Sequence, residues 1–138
     1  MTYIKSDDKK VVIGNEYIER SFSVENGQLL PDTITNKRLN EPAPFVAGKG
    51  SEEFSVTFLK KFGKFELRAS MLTIDKINSY EKSDSSILEF VFKPAIYHNT
   101  TLNFRLVYKL KNDDFFMKKQ LCFSASGDLN LRIDTVDT

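Results

Sequence analysis

Residues 102–110 of the chain are Leu-Asn-Phe-Arg-Leu-Val-Tyr-Lys-Leu. Every second residue is apolar or aromatic, which is the pattern of a β-strand with one buried face. Side chains alternate between the two faces of a strand. The shared, inward face would therefore carry Leu102, Phe104, Leu106, Tyr108 and Leu110.

The same alternation recurs along most of the sequence. Residues 87–92 are apolar almost throughout, as expected of a central strand covered on both faces. Further strands are predicted over residues 11–15, 17–24, 29–36, 54–58, 65–74, 115–123 and 129–136. A long loop is predicted over residues 37–53, with turns at 112–114 and 124–128. About nine short strands without a helical stripe predict an all-β fold, a sandwich or a barrel, with little or no helix, and we favour an antiparallel β-sandwich.

Three local features refine this prediction. Asn26-Gly27 between two strand-like runs is a strong hairpin signal, since both residues tolerate the positive φ of a type I′ turn. Pro31 in the returning strand predicts an edge or a bulge, and Arg20 interrupts an otherwise apolar strand face. The predicted core includes Phe90, Phe104, Leu106, Leu131 and Ile133.

The length of 138 residues predicts one domain, with residues 1–10 as an N-terminal tail and residues 11–138 as a single β-sandwich domain. Hydrophobic residues make up 41% and charged residues 28%, which is ordinary for a globular chain and not for a disordered one. The net charge of +1 gives no electrostatic reason to expect a nucleic acid or an anionic membrane as a partner. No apolar run approaches the ~18 residues of a membrane span.

The compartment is not determined by the sequence. The single Cys122 cannot form an internal disulfide bond, and on its alternating strand it is expected to be a small core residue. The first ten residues contain no apolar signal-peptide core, so a secreted or periplasmic protein is expected only if a signal was removed upstream.

The sequence predicts no catalytic, cofactor-binding or metal-binding residue, and no cofactor. His98 is the only histidine, and it is expected to lie in a surface loop. One histidine and one cysteine without paired spacing do not make a metal site. Residues 48–51 (Gly-Lys-Gly-Ser) resemble a phosphate-binding loop but lack its full spacing and its following helix.

Paired carboxylates are the remaining candidates for a catalytic site. Glycoside hydrolysis requires two carboxyl groups across a cleft, and the adjacent acidic pairs are Asp7-Asp8, Glu52-Glu53 and Asp113-Asp114. Adjacent residues in a strand point to opposite faces, and in turns both are usually solvated. Each pair is therefore expected to be a solvated structural feature.

Short motifs at both ends resemble one family. Residues 15–24 (Asn-Glu-Tyr-Ile-Glu-Arg-Ser-Phe-Ser-Val) followed by Asn26-Gly27-Gln28-Leu29 resemble the opening of the N-terminal β-supersandwich, a galactose-mutarotase-like domain, of large glycoside hydrolases. The relatives are the melibiase-type α-galactosidases and the endo-α-N-acetylgalactosaminidases. Residues 108–121, with an acidic turn before Phe115-Phe116, and residues 126–134, with Gly127-Asp128 before an apolar strand, are similar to later strands of that domain.

The resemblance implies a non-catalytic sandwich that supports or edges the catalytic domain of the same parent chain and could contact carbohydrate. In that family the catalytic carboxylates belong to a following (β/α)₈ barrel, so no catalytic residue is carried over to this sequence. Two alternatives stay open: a free-standing carbohydrate-binding or cell-surface sandwich, and a small mutarotase-like epimerase. The absence of Trp counts against a dedicated sugar groove, and the single histidine counts against the epimerase.

Overall fold

The structure is a computed structural model, and it describes residues 1–38, 41–44, 52–60, 63–97, 99–127 and 132–137. Within these residues all strand pairs are antiparallel, and the helical content is one 3-10 turn at Ala69–Met71. The strands are β1 (Tyr3–Ser6), β2 (Lys10–Gly14), β3 (Ile18–Glu25), β4 (Gln28–Asn36), β5 (Glu41–Pro44), β6 (Ser55–Lys60), β7 (Gly63–Arg68), β8 (Ile74–Glu81), β9 (Ser85–Phe92), β10 (Ala95–Tyr97), β11 (Thr100–Lys111), β12 (Lys118–Gly127) and β13 (Arg132–Asp137). The predicted all-β antiparallel fold is confirmed.

The strands form three sheets. The first sheet has the order β1-β2-β3-β4-β5, which is a simple meander. The second sheet has the order β10-β11-β9-β8, with β12 also paired to β11. The third sheet is β13-β6-β7.

The first two sheets face each other across an aromatic core. Phe22 on β3 contacts Phe90 on β9 and Tyr108 on β11, with ring centroids 5.2 and 4.9 Å apart. Val56 and Phe58 of the third sheet belong to the same buried cluster. This packing of sheet against sheet is the sandwich-like arrangement that the alternation predicts.

Strand β11 shows how the sequence pattern becomes packing. Its predicted inward face is buried in full, at Leu102, Phe104, Leu106, Tyr108 and Leu110. Phe90 is buried too, so the core prediction is confirmed for Phe90, Phe104 and Leu106. Burying an apolar side chain of this size stabilises the fold by about 1.5–3 kcal/mol. Leu131 and the side chain of Ile133 lie outside the described residues.

The hairpin between β3 and β4 also follows the sequence. Asn26 and Gly27 both have positive φ, at 52° and 75°, as a type I′ turn requires. The β3–β4 register shifts where Phe22 pairs with Pro31 while Ser21 pairs with Thr33, so Pro31 lies at a bulge. A proline lacks the N–H that regular pairing needs, and the bulge accommodates it.

The N-terminal end of the predicted domain differs from the sequence interpretation. Residues 1–10, predicted as a tail, include β1, which pairs with β2 from Tyr3 to Ser6. Thr2 ties this segment to the second sheet through hydrogen bonds to Ser86 (2.7 Å) and Asn112 (3.0 Å). A short polar edge strand shows little alternation of apolar and polar residues. Its structure therefore depends on pairing with the neighbouring strand and on hydrogen bonds such as those of Thr2.

Two further predictions, a loop and a turn, are wrong, and one strand has no counterpart in the sequence analysis. The predicted loop over residues 37–53 contains β5, whose prolines are tolerated because it is the edge strand of the first sheet. Strand β8 was not predicted, because residues 74–81 are largely polar and lie at the edge of the second sheet. Residues 124–127 of the predicted turn at 124–128 are instead the end of β12, which stays paired to β11 up to Gly127, and Asp128 lies outside the described residues.

Candidate functional site

A buried ion pair lies between the first two sheets. Arg20 is on the inward face of β3, and Glu53 lies just before β6 in the third sheet. The Arg20 Nη2 atom donates to both carboxylate oxygens of Glu53 at 2.7 Å, and Glu53 is 1% exposed. A buried charge is tolerated only when it is paired and hydrogen-bonded, and this geometry supplies both.

Tyr108 and Lys119 of the second sheet complete this cluster, named here the Arg20 cluster. The Tyr108 hydroxyl donates to Glu53 Oε1 and accepts from Arg20 Nη1 at 3.2 Å. The Lys119 ammonium donates to the Glu53 carbonyl oxygen and lies 4.0 Å from Oε1. Burial raises the pKa of the Tyr108 hydroxyl above its usual range, and the nearby Glu53 charge raises it further. The cluster therefore joins all three sheets by charge-assisted hydrogen bonds.

The contacts of Glu53 define its chemistry. Arg20 donates hydrogen bonds to both carboxylate oxygens. The Tyr108 hydroxyl donates to one of these oxygens, and the Lys119 ammonium lies near it. A general base or nucleophile needs an oxygen within reach of a substrate. The contacts of Glu53 fit a structural ion pair.

A second cluster lies at one end of the sandwich and is organised by Asn15. The side chain of Asn15 is buried, and its Nδ2 atom donates to the carbonyl oxygens of Lys111 and Asp114 at 2.9 and 2.8 Å. Its Oδ1 atom accepts from the backbone N–H groups of Tyr17 and Ile18 at 2.8 and 3.0 Å. Asn15 thus fixes the β2–β3 turn of the first sheet against the β11–β12 turn of the second.

Side chains of the two turns, together with Arg38 just after β4, form a largely exposed group named here the aromatic surface: Tyr17, Arg38, Phe115 and Phe116. The rings of Tyr17 and Phe115 meet edge to face, with centroids 4.6 Å apart. The Arg38 guanidinium carbon lies 4.1 Å from the Phe115 centroid and 5.4 Å from that of Tyr17. Phe115 is 55% exposed and Phe116 57% exposed, which is unusual for large apolar side chains.

A set of hydrogen-bonded polar side chains on the first sheet borders the aromatic surface. The Tyr3 hydroxyl donates to Glu19 and accepts from Lys37 Nζ at 2.7 Å, and Lys37 also donates to the Asn15 carbonyl oxygen at 2.7 Å. Burial raises the pKa of the Tyr3 hydroxyl, and its hydrogen bond to Glu19 raises it further. A side chain at Gly14 would displace the Tyr3 ring, because an added Cβ would lie 2.5 Å from the Tyr3 hydroxyl oxygen.

The acidic pairs singled out from the sequence take different positions. Asp7 accepts from two backbone N–H groups in a turn, which lowers the pKa of its carboxyl group. Glu52 accepts from the backbone N–H of Ser70 at 3.1 Å, so it does not share a site with Glu53. The expectation that these pairs are solvated is wrong for Glu53, and the signal that could have found it is Arg20 on an apolar face.

The other residues considered from the sequence do not meet in one site. His98 and residues 48–51 lie outside the described residues. Cys122 was expected in the core, but in the β11–β12 register it pairs with Arg105 on the outer face and is half-buried. The inward positions of β12 are its neighbours Leu121 and Phe123, which pair with buried residues of β11. The prediction that Cys122 lies in the core is therefore wrong, because the inward positions of the strand are shifted by one residue from those expected.

Within the described part of the chain, no group of three or more His, Cys, Asp and Glu side chains is arranged to hold a metal ion. No helix among the described residues is long and apolar enough to span a membrane. No family model, curated protein or solved structure matches this chain. The functional assignment consequently depends on the side-chain geometry and on the sequence motifs.

Proposed function

We propose that this chain is a non-catalytic β-sandwich domain of a larger carbohydrate-active enzyme, a glycoside hydrolase, in which it supports or edges the catalytic domain. The observation that carries the proposal is that Glu53, the most deeply buried carboxylate described, is held in an ion pair with Arg20. Both of its oxygens are held by Arg20, so it joins the sheets of a scaffold. The proposal also draws on the motifs around Asn15 and Phe115, which both lie in the turns that form the aromatic surface.

The natural polypeptide provides the test of this proposal. An antibody raised against residues 1–138 would isolate the protein from its native source, and mass spectrometry would give the intact mass. We expect a polypeptide longer by at least the ~250 residues of a (β/α)₈ barrel. A natural polypeptide with the 15.9 kDa mass of this chain would contradict the proposal.

An activity assay tests the non-catalytic part of the proposal separately. The isolated chain is expected to release no product from aryl α-galactosides or aryl α-N-acetylgalactosaminides. Turnover by the isolated chain that is abolished by one Asp or Glu substitution would overturn the non-catalytic assignment.

The second candidate function is a free-standing carbohydrate-binding or cell-surface module. The aromatic surface favours it, since exposed aromatic rings beside polar groups suit sugar contacts. The intact mass distinguishes the two functions, because a free-standing module would have a natural chain without a catalytic domain.

A further inference from the structure

We infer that the aromatic surface, formed by Tyr17, Arg38, Phe115 and Phe116, is a binding site for a neutral sugar ring within an oligosaccharide. The inference rests on the proposed function for its biological context, and it adds a ligand class and a place on the domain. Its structural support is the anchored backbone beneath Tyr17 and Phe115, the available donors of Arg38 and the balance of charge around them.

The backbone that carries Tyr17 and Phe115 is held in place before any ligand arrives. The Asn15 side chain makes hydrogen bonds to backbone atoms of both the β2–β3 turn and the β11–β12 turn. These atoms include the Tyr17 N–H and the carbonyl oxygen of Asp114, which precedes Phe115. Because Asn15 is 1% exposed, these bonds are shielded from water. A preorganised surface loses less conformational entropy on binding, which favours recognition of a weakly interacting ligand such as a sugar.

Ring stacking provides the apolar half of the site. Phe115 and Phe116 expose more than half of their surface, and Tyr17 is half-buried beside them. The face of an aromatic ring carries partial negative charge, and the C–H groups on one face of a pyranose carry partial positive charge. A sugar ring can therefore cover this apolar area without losing the hydration of its equatorial hydroxyl groups.

Arg38 provides directional donors. Its guanidinium lies over the Phe115 ring, and none of the ion pairs or side-chain hydrogen bonds among the described residues uses its N–H groups. Stacking occupies the face of a guanidinium and leaves the N–H groups at its edge available for acceptors. Sugar hydroxyl oxygens are acceptors of this kind.

The surrounding charges favour a neutral ligand. Lys37 and Arg38 are positive, whereas Glu16 directly precedes Tyr17, the pair Asp113-Asp114 precedes Phe115, and all three are negative. Charges of both signs within one Debye length largely cancel for a charged ligand. A neutral polyol benefits from both kinds of group, because its hydroxyls accept from cations and donate to carboxylates.

The experiment is a titration of the ¹⁵N-labelled chain with neutral oligosaccharides of galactose, N-acetylgalactosamine, glucose and mannose, followed by NMR. We expect at least one sugar to shift the backbone amide signals of residues 15–17 and 112–116 and the side-chain signal of Arg38. Millimolar dissociation constants are sufficient for this measurement.

Two surface variants and one control determine where the sugar binds. Phe116→Ala and Arg38→Gln should each weaken binding by about tenfold, a change that corresponds to loss of one good contact. Tyr80→Ala is the matched control, because Tyr80 is an aromatic residue on β8 that is 49% exposed and is not part of the aromatic surface. Each variant must first give a dispersed NMR spectrum like that of the wild type.

The inference is supported if the sugar shifts the named signals and the two surface variants weaken binding while the control does not. It is overturned if no neutral sugar shifts these signals, or if the shifts lie elsewhere. A chain that binds no sugar but derives from a long natural polypeptide would overturn this inference alone. A chain that binds sugar but has a natural mass of 15.9 kDa would contradict only the proposed function.

Discussion

Two arginines of this protein stack on pairs of aromatic rings in opposite environments. Arg20 lies inside the sandwich, with its guanidinium carbon 4.7 Å from the Phe22 centroid and 5.1 Å from that of Tyr108. Arg38 lies at the surface, 4.1 Å from the Phe115 centroid and farther from Tyr17. The stacking is similar, so the difference between the two regions comes from burial and from the ions around each arginine.

Burial determines what each guanidinium must do. Arg20 is 9% exposed, and removing its charge from water is compensated by the two bonds to Glu53. Arg38 is exposed and makes no ion pair with the described carboxylates. The comparison shows that one side-chain arrangement can stabilise a core or leave donors available at a surface.

The largest predicted effect is that of Glu53→Gln in the Arg20 cluster. This change leaves the Arg20 charge buried without its counterion, so the free energy of unfolding should fall by about 3–5 kcal/mol. Urea denaturation measures the change. Glu66→Gln is the control, because Glu66 forms an exposed ion pair with Arg68 (3.7 Å) and should change stability by less than about 0.5 kcal/mol. Equal effects of the two substitutions would contradict the structural role of Glu53.

The next effect is that of Asn15→Ala, which tests the support of the aromatic surface. The substitution leaves buried backbone donors and acceptors without partners, so stability should fall by about 2–3 kcal/mol. Hydrogen exchange should increase selectively at the amides of Tyr17 and Ile18, which donate to the Asn15 side chain. Unchanged exchange at these amides would show that Asn15 does not hold the two turns together.

Tyr108→Phe removes the hydroxyl that bonds Glu53 and should reduce stability by about 2 kcal/mol at neutral pH. Burial raises the folded-state pKa of Tyr108, while in the unfolded chain it titrates near its usual value of about 10. Its stabilisation is therefore fully present below about pH 10 and is lost as the pH rises above that value. The difference between wild type and variant should shrink above pH 10, and a constant difference up to pH 11 would contradict this account.

The smallest effect is expected at the surface ring Phe115. Because Phe115 is 55% exposed, Phe115→Ala should reduce the free energy of unfolding by no more than about 1 kcal/mol. Phe104→Ala, in the buried face of β11, should reduce it by about 3–5 kcal/mol. Thermal and urea unfolding of both variants provide the comparison, and a larger loss at Phe115 would mean that its ring is part of the core.

Alternation made much of the fold predictable, since a regular period of two specifies which face is buried. The inward face of β11 and the hairpin at Asn26-Gly27 follow directly from local sequence. Strands β1 and β8 could not be predicted in this way, because they are edge strands held by pairing rather than by an apolar face. Cys122 was misplaced because a one-residue error in alternation exchanges the two faces of a strand.

The two clusters were less predictable, because they unite residues that are distant in sequence. The position of Arg20 on an apolar strand face indicates a buried partner for its charge. Nothing in the sequence identifies Glu53, 33 positions away, as that partner. The aromatic surface similarly joins residues 17 and 115 through Asn15, a contact that only the packing of two sheets creates. Residue types were informative, whereas their pairing depended on tertiary structure.

The most direct test of the account is the pair of substitutions Arg20→Met and Arg38→Met, compared by urea denaturation at pH 7. Both remove a charge and keep a long apolar side chain. Arg20→Met should lower the free energy of unfolding by about 3–5 kcal/mol, because it removes the bidentate partner of the buried Glu53 carboxylate and leaves it only the Tyr108 hydroxyl and the more distant Lys119 ammonium. Arg38→Met should change it by less than about 0.5 kcal/mol, as for other exposed positions. Equal losses, or a larger loss for Arg38→Met, would contradict the assignment of Arg20 to structure and Arg38 to a free surface.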